Sequence, residues 1–270
     1  MSEQNVNFEA AWAVSQAPAT GRRAQAHRLA NAMRRVIDHL VQVAAPEEDL
    51  SAAADALERY AKRLSKYPIS RSYEGFAESA NAGDPHAFFD HSPLIGISNP
   101  LAPPIRLAVL GDKVEGRGTF GVAYEGPPGH VHGGFLAAAF DEVLGMAQSL
   151  TGNPGMTGTL TIRYRRPTPL LTELVFEAYV DRVEGRKIFT HGTLSANGTL
   201  TAEAEGLFIA VGQERFAAMA AMVTERTTTK TKKYSPARRA AGVTPAPGVK
   251  SKVARGALLC SQGRRQDGVA

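Results

Sequence analysis

The sequence predicts an α+β fold in which a curved antiparallel sheet wraps around one central helix. The central helix is predicted at 133–150, a long apolar stretch that contains no Lys or Arg. Two extended segments precede this stretch and four follow it, with an Asn-Gly turn at 197–198 between the last two. A helix of this kind among antiparallel strands is typical of a two-layer packing of helix on sheet.

Residues 22–66 predict a helical hairpin that follows a flexible N-terminus at 1–21. Pro46 separates the two helices, and the acidic run after it suits the positive end of the second helix dipole. Both helices carry apolar stripes at three- and four-residue spacing. The stripes are Leu29, Met33, Val36, Ile37, Leu40 and Ala44, then Leu50, Ala53, Leu57, Ala61 and Leu64. We expect them to bury against the chain or against another copy.

Residues 67–104 predict a loop-rich connection because they are rich in Pro, Gly, Asn and Ser. His86, Asp90 and His91 lie in this stretch without the spacing and supporting cluster of a metal site. We therefore expect these three side chains at the surface, and we expect the protein to use no metal and no cofactor.

The domain that carries the chemistry is predicted at 105–212. The extended segments before the helix are 105–110 and 114–124, and those after it are 156–166, 173–183, 187–196 and 199–210. Polar and apolar residues alternate through 156–166, with threonines at 159 and 161 against Leu160 and Ile162. We expect the last four segments to form an antiparallel meander.

The C-terminal residues 213–270 predict a short helix followed by a disordered basic tail. From residue 223 onward there are eleven Lys and Arg against two acids, whereas the rest of the chain has 20 bases and 24 acids. The high overall isoelectric point therefore describes the tail and not the folded body. Because Tyr234 is the sole aromatic residue of the tail, we expect no specific nucleic-acid partner.

The composition also indicates the cellular compartment of the protein. No apolar run approaches the roughly 18–20 residues of a membrane span, so we expect no such span. The first residues lack a basic region followed by an apolar one, and the single cysteine, Cys260, allows no internal disulfide. These observations together favour a cytoplasmic protein.

The start of the central helix is a candidate oxyanion site. The segment His132-Gly133-Gly134 places backbone N–H groups at the positive end of the helix dipole, where they can bind an oxygen that becomes negative. Asp141 is the acid on the face of small residues, where a carboxylate loses hydration and becomes a better base. A base together with an oxyanion site suits acyl transfer to water.

The spacing of these groups predicts a site between two chains. Gly134 and Asp141 are seven residues apart, which is about 10 Å along a helix. The two groups therefore cannot touch one carbonyl from the same helix. We expect an antiparallel second copy to complete the site, in a homodimer or a dimer of dimers.

The pattern from His132 through Asp141, with the later segment 157–167 that ends in Tyr-x-x-Pro, resembles the hotdog-fold thioesterases, in their PaaI-like branch. The resemblance covers about residues 90–212 and implies hydrolysis of acyl-CoA or a similar thioester. It implies Asp141 as general base or nucleophile, the Gly133 N–H as the group that polarises the carbonyl, and His132 as the residue that shapes the turn.

The same resemblance implies further substrate contacts. Thr157 matches a hydroxyl position that faces the catalytic carboxylate, and Gly134 would line the bound acyl group. Arg165 and Arg166 would meet the CoA phosphates. Gly126 stands where some relatives supply an Asn to the oxyanion, so oxyanion binding would depend on Gly133.

Two other functions stay open from the sequence. One is a non-catalytic acyl-CoA binder or regulator, in which the hairpin and the tail recruit partners. The other is a hotdog hydratase or dehydratase, which would need a His and an acid, such as His130 and Glu142, facing one substrate. The sequence leaves the acyl chain length, aryl or aliphatic preference, and CoA or carrier protein undecided.

Overall fold

The structure, a computed structural model, describes residues 18–67, 90–153 and 155–211. The helices are α1 (Gly21–Leu40), α2 (Glu47–Leu64) and α3 (Gly133–Ser149), and the strands are β1 (Arg106–Leu110), β2 (Lys113–Thr119), β3 (Gly155–Tyr164), β4 (Glu173–Glu184), β5 (Lys187–Ala196) and β6 (Thr199–Ala210). The predictions for the first residues, for His86, for the tail and for Cys260 lie outside the described residues. No helix in the described part combines the length and the apolar character that a membrane crossing requires.

The six strands form one antiparallel sheet in the order β1-β2-β4-β5-β6-β3, which confirms the α+β prediction. The meander from β4 to β6 is present, but β3 pairs with β6 and not with β4, so the predicted four-strand meander is wrong. The chain leaves β3 through a segment with two prolines that hydrogen-bonds to residues 120–131 instead of turning back. This segment crosses to the middle of the sheet, where β4 begins.

Helix α3 lies against one face of the sheet with the apolar side that the sequence predicted. Leu136, Phe140 and Val143 are at most 2% exposed, and the ring of Phe140 meets that of Phe176 on β4 edge to face at 5.4 Å. Gly206 on β6 leaves room for the helix, because a Cβ there would lie 3.3 Å from Leu144 Cδ1 of α3. The core therefore lies between α3 and the sheet.

The second predicted strand, 114–124, is shorter than expected. β2 ends at Thr119, and a 3-10 turn at Val122–Tyr124 follows. Phe120 between them is fully buried, which turns the chain out of the sheet and toward the start of α3. The apolar residues at 120–124 thus belong to a turn and not to a longer strand.

Helix α1 docks on the domain through polar groups. The guanidinium of Arg34 donates to the carbonyl oxygens of Gly96, Ile97, Asn99 and Ala102 at 2.7 to 2.9 Å. One turn away on this face, the side chain of Asp38 accepts the N–H of Ala123. The loop at 90–105 is thereby held against α1.

Asp90 anchors the other end of the same contact, so its predicted position at the surface is wrong. It is 6% exposed and accepts hydrogen bonds from Arg23 at 2.7 Å and from His27 at 2.8 Å. Burial alone would raise the pKa of Asp90, but the hydrogen bonds and charge of Arg23 and His27 lower it below its usual value. A buried carboxylate is tolerated here because it is paired.

The apolar stripes of the two N-terminal helices are exposed in the described chain, so they do not bury against it, and burial against another copy stays a prediction. Leu40 is 59% exposed and Leu57 is 49% exposed. In α1 the side that docks is the polar one, and Ala30 is its buried residue. In the described part of the chain, α2 buries no residue.

Candidate functional site

The first turn of α3 separates the roles of its two glycines. His132 precedes the helix as its N-cap, and its ring Nδ1 accepts the Gly134 N–H at 3.0 Å. The prediction that both glycine N–H groups are free is therefore wrong for Gly134. Within the described residues, the N–H of Gly133 has no acceptor. The free donor at this helix end is the one expected to face a thioester carbonyl.

Tyr164 fixes the position of Gly133, and sequence reasoning missed it. Its hydroxyl donates to the Gly133 carbonyl oxygen at 2.8 Å, and a Cβ on Gly133 would lie 3.2 Å from the tyrosine ring. The phenol is 54% exposed, so it borders the solvent side of the helix start. The signal was available, because Tyr164 continues the alternation of Leu160 and Ile162 on the helix-facing side of β3.

Gly126 marks a close approach of two backbones beside the site. A Cβ at this residue would lie 2.7 Å from the His132 Cα, so no side chain fits without a shift. The Asn that some relatives use at this position therefore has no room in this turn. Its absence leaves Gly133 as the described N–H donor at the helix start.

Asp141 and Thr157 come together as expected. Thr157 Oγ1 donates to Asp141 Oδ1 at 2.7 Å, and the carboxylate lies half-buried in the middle of α3. A β-bulge makes the contact possible, since the pairing of β3 with β6 shifts between Thr157 and Thr159. Thr157 thereby lies opposite the buried Phe208, on the helix side of the sheet, whereas Thr159 and Thr161 lie on the other side.

Glu142 is a second carboxyl on α3, next to Asp141 in the sequence. Its side chain accepts a hydrogen bond from the Ser92 hydroxyl, which also accepts the backbone N–H groups of Leu94 and Ile95. Burial raises the pKa of Glu142 above its usual value, and the neighbouring charge of Asp141 raises it further. The contact between Ser92 and Glu142 thus joins the loop at 90–105 to α3, directly beside Asp141.

The structure gives His130 and Glu142 different partners. The His130 ring lies 2.8 Å from the Pro128 carbonyl oxygen in its own turn, while Glu142 contacts Ser92. The described residues therefore show no contact between His130 and Glu142, the pair that a dehydratase would require.

The two predicted phosphate-binding arginines follow the end of β3. Arg165 is paired with Glu203 at 2.6 Å, and Arg166 donates to the Leu200 carbonyl oxygen at 3.0 Å. Both side chains are exposed. Arg165 would have to exchange its carboxylate partner for a phosphate, whereas Arg166 keeps donors for an anionic ligand.

A separate cavity of about 530 Å³ lies mainly on the sheet face away from α3. Its lining includes Thr161, Tyr179, Arg182 and His191. None of the predicted site residues lies in its lining. In the described chain, the Asp141 carboxylate and the free Gly133 N–H therefore belong to a different surface.

The site is divided along one helix. Gly133 and Asp141 are eight residues apart, which places them about 12 Å apart along the axis of α3. One thioester carbonyl cannot reach both from a single chain. In the described chain the candidate oxyanion donor and the candidate base are therefore too far apart to act on one carbonyl.

A family model described as the thioesterase superfamily matches residues 128–203. This range begins in the turn before α3 and ends within β6, so it contains His132, Gly133, Asp141 and Thr157.

Among curated proteins, the acyl-coenzyme A thioesterase THEM4 of Bos taurus is 40% identical over 93 residues, which is 34% of this chain and 38% of that protein. The acyl-coenzyme A thioesterase THEM5 of Homo sapiens is 32% identical over 87 residues, covering 32% of this chain and 35% of that protein. The chain therefore spans less than half the length of the curated relatives it matches.

A crystal structure of a thioesterase superfamily protein is similar over a longer range. It shares 35% sequence identity and a TM-score of 0.62, and the match covers 71% of this chain and 96% of that chain. At this coverage the likeness includes more than the segment around α3.

Proposed function

Because the chain belongs to the thioesterase superfamily and has its hotdog fold, we propose that it hydrolyses acyl-CoA, or a similar acyl thioester, to a free acid and a thiol. The observation that carries this proposal is the Asp141 carboxylate, which the Thr157 hydroxyl holds at 2.7 Å in the middle of α3. The curated relatives named as acyl-coenzyme A thioesterases support the choice of CoA as the thiol.

The free N–H of Gly133 supplies the second requirement. Attack on the thioester carbonyl moves charge onto its oxygen, and a backbone N–H at a helix start stabilises that charge. Tyr164 and His132 hold the turn on both sides of Gly133, so the donor is positioned before the substrate binds. A preorganised donor costs no reorganisation during the reaction.

The chemistry has two possible first steps. As a general base, Asp141 takes a proton from water through the oxygen that Thr157 does not contact, and the water oxygen forms a bond to the acyl carbon. As a nucleophile, Asp141 itself attacks, and water later hydrolyses the mixed anhydride. In both cases the tetrahedral centre collapses, the carbon–sulfur bond breaks and the thiolate leaves and takes up a proton.

A second copy completes the site. The described chain leaves one edge of β3 without a partner strand, and β3 carries Thr157 and the half-exposed Met156 at that edge. Pairing of two such edges would bring two antiparallel α3 helices side by side, with Gly133 of one chain near Asp141 of the other. We propose a homodimer with two sites of this composition, in which Gly134 borders the acyl group and Arg166 contacts CoA phosphate.

Replacing Asp141 tests the proposal. Asp141→Asn keeps the shape of the side chain and removes the base, so thiol release from an acyl-CoA panel should fall at least about a hundredfold. Circular dichroism and thermal unfolding of the variant should match the wild type. Thr157→Val is the matched second change, and a smaller loss is expected because the carboxylate stays.

The outcomes separate the competing functions. Unchanged thiol release in Asp141→Asn would remove this residue from the mechanism. Binding of acyl-CoA by the wild type without any thiol release would favour a non-catalytic binder. Label found in Asp141 after a single turnover in ¹⁸O-labelled water would identify the carboxylate as the nucleophile, because label enters the carboxylate only when water attacks the aspartyl carbon of the mixed anhydride.

A further inference from the structure

One flank of α3 lies between the face that carries Asp141 and the loop at 90–105. Successive residues of a helix point about 100° apart around its axis, so Phe140 and Glu142 point to opposite sides of Asp141. Phe140 is buried against the sheet, whereas Glu142 contacts the loop through Ser92. The candidate base is thus bordered by the sheet on one side and by the loop on the other.

Two contacts join this flank of α3 to the loop. In the middle of the helix, the Ser92 hydroxyl donates to Glu142. About two turns earlier on the same flank, the ring of Phe135 meets that of Tyr124 edge to face at 4.9 Å, and the Tyr124 hydroxyl donates to the Leu101 carbonyl oxygen at 2.8 Å. Helix α1 holds the loop from outside through four of its carbonyl oxygens. The loop is therefore a fixed support along α3.

The hydrogen bond from Ser92 has a fixed direction. A hydroxyl has one proton to donate and two positions at which it accepts. The Ser92 oxygen accepts the N–H groups of Leu94 at 3.2 Å and of Ile95 at 3.3 Å, so its proton is left for Glu142. Ser92 is 4% exposed. Removal of the acceptor would leave a buried hydroxyl without a partner for its proton, which folded proteins avoid.

The contact opposes one particular movement of α3. Apolar packing against the sheet has no preferred direction, so it resists rotation of the helix about its own axis less than a hydrogen bond does. A rotation of about 10° moves an atom at the outer radius of the helix, about 6 Å from the axis, by about 1 Å. A misplacement of about 1 Å lowers the rate about a hundredfold when the moved group takes part in the reaction.

We propose that Glu142 is a positioning residue, which through its hydrogen bond with Ser92 fixes the rotation of α3 and thereby the position of the Asp141 carboxylate. This inference rests on the proposed function, because Glu142 acts only through the base. Its side chain is directed to the loop and not to the contact between Asp141 and Thr157. Its loss should therefore lower turnover and leave substrate binding unchanged.

Two substitutions of Glu142 separate the hydrogen bond from the charge. Glu142→Ala removes the acceptor, so kcat for thiol release should fall at least about tenfold, with KM within about twofold of wild type. Glu142→Gln keeps an oxygen that accepts from Ser92, and kcat should stay within about threefold of wild type. Burial raises the pKa of Glu142, so a neutral amide suits this position.

Ser92→Ala removes the same hydrogen bond from the other side. It should lower kcat as Glu142→Ala does, and the double variant should be no slower than the slower single variant, because one contact is lost in all three. The matched control is Thr201→Val, which removes the buried hydrogen bond that Thr201 donates to the Leu194 carbonyl oxygen. The control should lose stability and keep its kcat. All rates are measured well below the unfolding temperature of each variant.

Several results would overturn the positioning role. Wild-type turnover in folded Glu142→Ala and Ser92→Ala would do so. A loss in Glu142→Gln as large as that in Glu142→Ala would also do so, because the charge and not the hydrogen bond would then be responsible. An equal loss of kcat in Thr201→Val would show that reduced stability alone lowers the rate.

The Asp141→Asn background separates this inference from the proposed function. Without the base, Glu142→Ala should slow the residual reaction by less than about twofold. A further tenfold loss in that background would overturn the positioning role alone, whereas an Asp141→Asn protein as fast as wild type would contradict the base and the inference together.

Hydrogen exchange tests the contact without any reaction. Backbone amides at 137–146 of α3 should exchange faster in Glu142→Ala than in Glu142→Gln, because only the first variant frees this flank of the helix. If the acyl-CoA panel releases no thiol with the wild type, the proposed function fails and this comparison still decides the contact. Equal exchange in the two variants would show that the hydrogen bond does not hold α3, and it would overturn the inference.

Discussion

Helices α3 and α1 both dock on the same domain, but they use opposite kinds of surface. α3 buries Phe140 and Val143 against the sheet. α1 docks through Arg34, Asp38 and the partners of Asp90, and it leaves Leu40 exposed. An apolar stripe therefore identifies the buried side of a helix only where an apolar surface is present to receive it. Where the neighbour is a loop of backbone carbonyls, a cationic face docks instead.

The largest expected difference in stability is between a substitution on the buried apolar face of α3 and one on the exposed apolar stripe of α1. Phe140→Ala should cost about 3–5 kcal/mol of unfolding free energy, because it opens a cavity between α3 and the sheet. Leu40→Ala on the exposed stripe of α1 should change stability by less than about 0.5 kcal/mol. Urea denaturation of both variants checks the comparison at low protein concentration. Equal losses would mean that the α1 stripe is buried in the folded protein.

The next effect concerns the polar contact of α1. Arg34→Ala should cost about 2–3 kcal/mol, because it leaves several part-buried carbonyl oxygens without a charged donor. Arg35→Ala, on the exposed side of the same helix, is the control and should be near neutral. Hydrogen exchange should speed up in residues 90–105 of the Arg34 variant. A protected loop in that variant would show that α1 does not hold it.

The buried, paired carboxylate of Asp90 predicts that the stability of the protein falls as the pH is lowered. The folded pKa of Asp90 is lowered, so its contribution to stability is present above the unfolded value of about 3.9 and is lost as pH falls through the lower folded value. Asp90→Asn should destabilise the protein by about 1–3 kcal/mol at pH 7. The difference from wild type should shrink below pH 4, as followed by urea midpoints. A constant difference down to pH 2 would contradict this assignment.

Glu142 predicts the smallest effect on stability, and its pH dependence has the opposite sign to that of Asp90. Its folded pKa is raised, so its favourable contribution is present below the unfolded value of about 4.3 and is lost as pH rises through the folded value. Glu142→Gln should be as stable as wild type or slightly more stable at pH 8, and it should lose this part of the pH dependence. Thermal unfolding from pH 4 to 8 measures it. A variant that is least stable at high pH would show that the carboxylate is stabilised when charged.

Several features of the fold followed from the sequence because they depend on local periodicity. The buried side of α3 and the three strands after residue 172 are examples. The partner of β3 did not follow, because alternation places side chains on faces but does not choose the neighbouring strand. The docking of Arg34 also left no pattern, since its acceptors are backbone carbonyls that any residue type provides.

The candidate site was predictable to a similar degree. The contact between Asp141 and Thr157 was expected from the family resemblance, and the structure brings the two together. The sequence could not predict that the Gly134 N–H is bonded while the Gly133 N–H is free. The difference depends on which of the two N–H groups the His132 ring reaches. The catalytic roles stay predictions until the variants are measured.

The bulge in β3 has a consequence for how relatives should be aligned. Between Thr157 and Thr159 the strand contains one residue more than its neighbour, so the threonine repeat points to opposite sides of the sheet on either side of Gly158. In a homologous strand without the additional residue, the position that faces the helix directly precedes the counterpart of Thr159. A column-by-column comparison that ignores this would assign the hydroxyl to the wrong residue, and a threonine transplanted by that rule would face away from the acid it should contact.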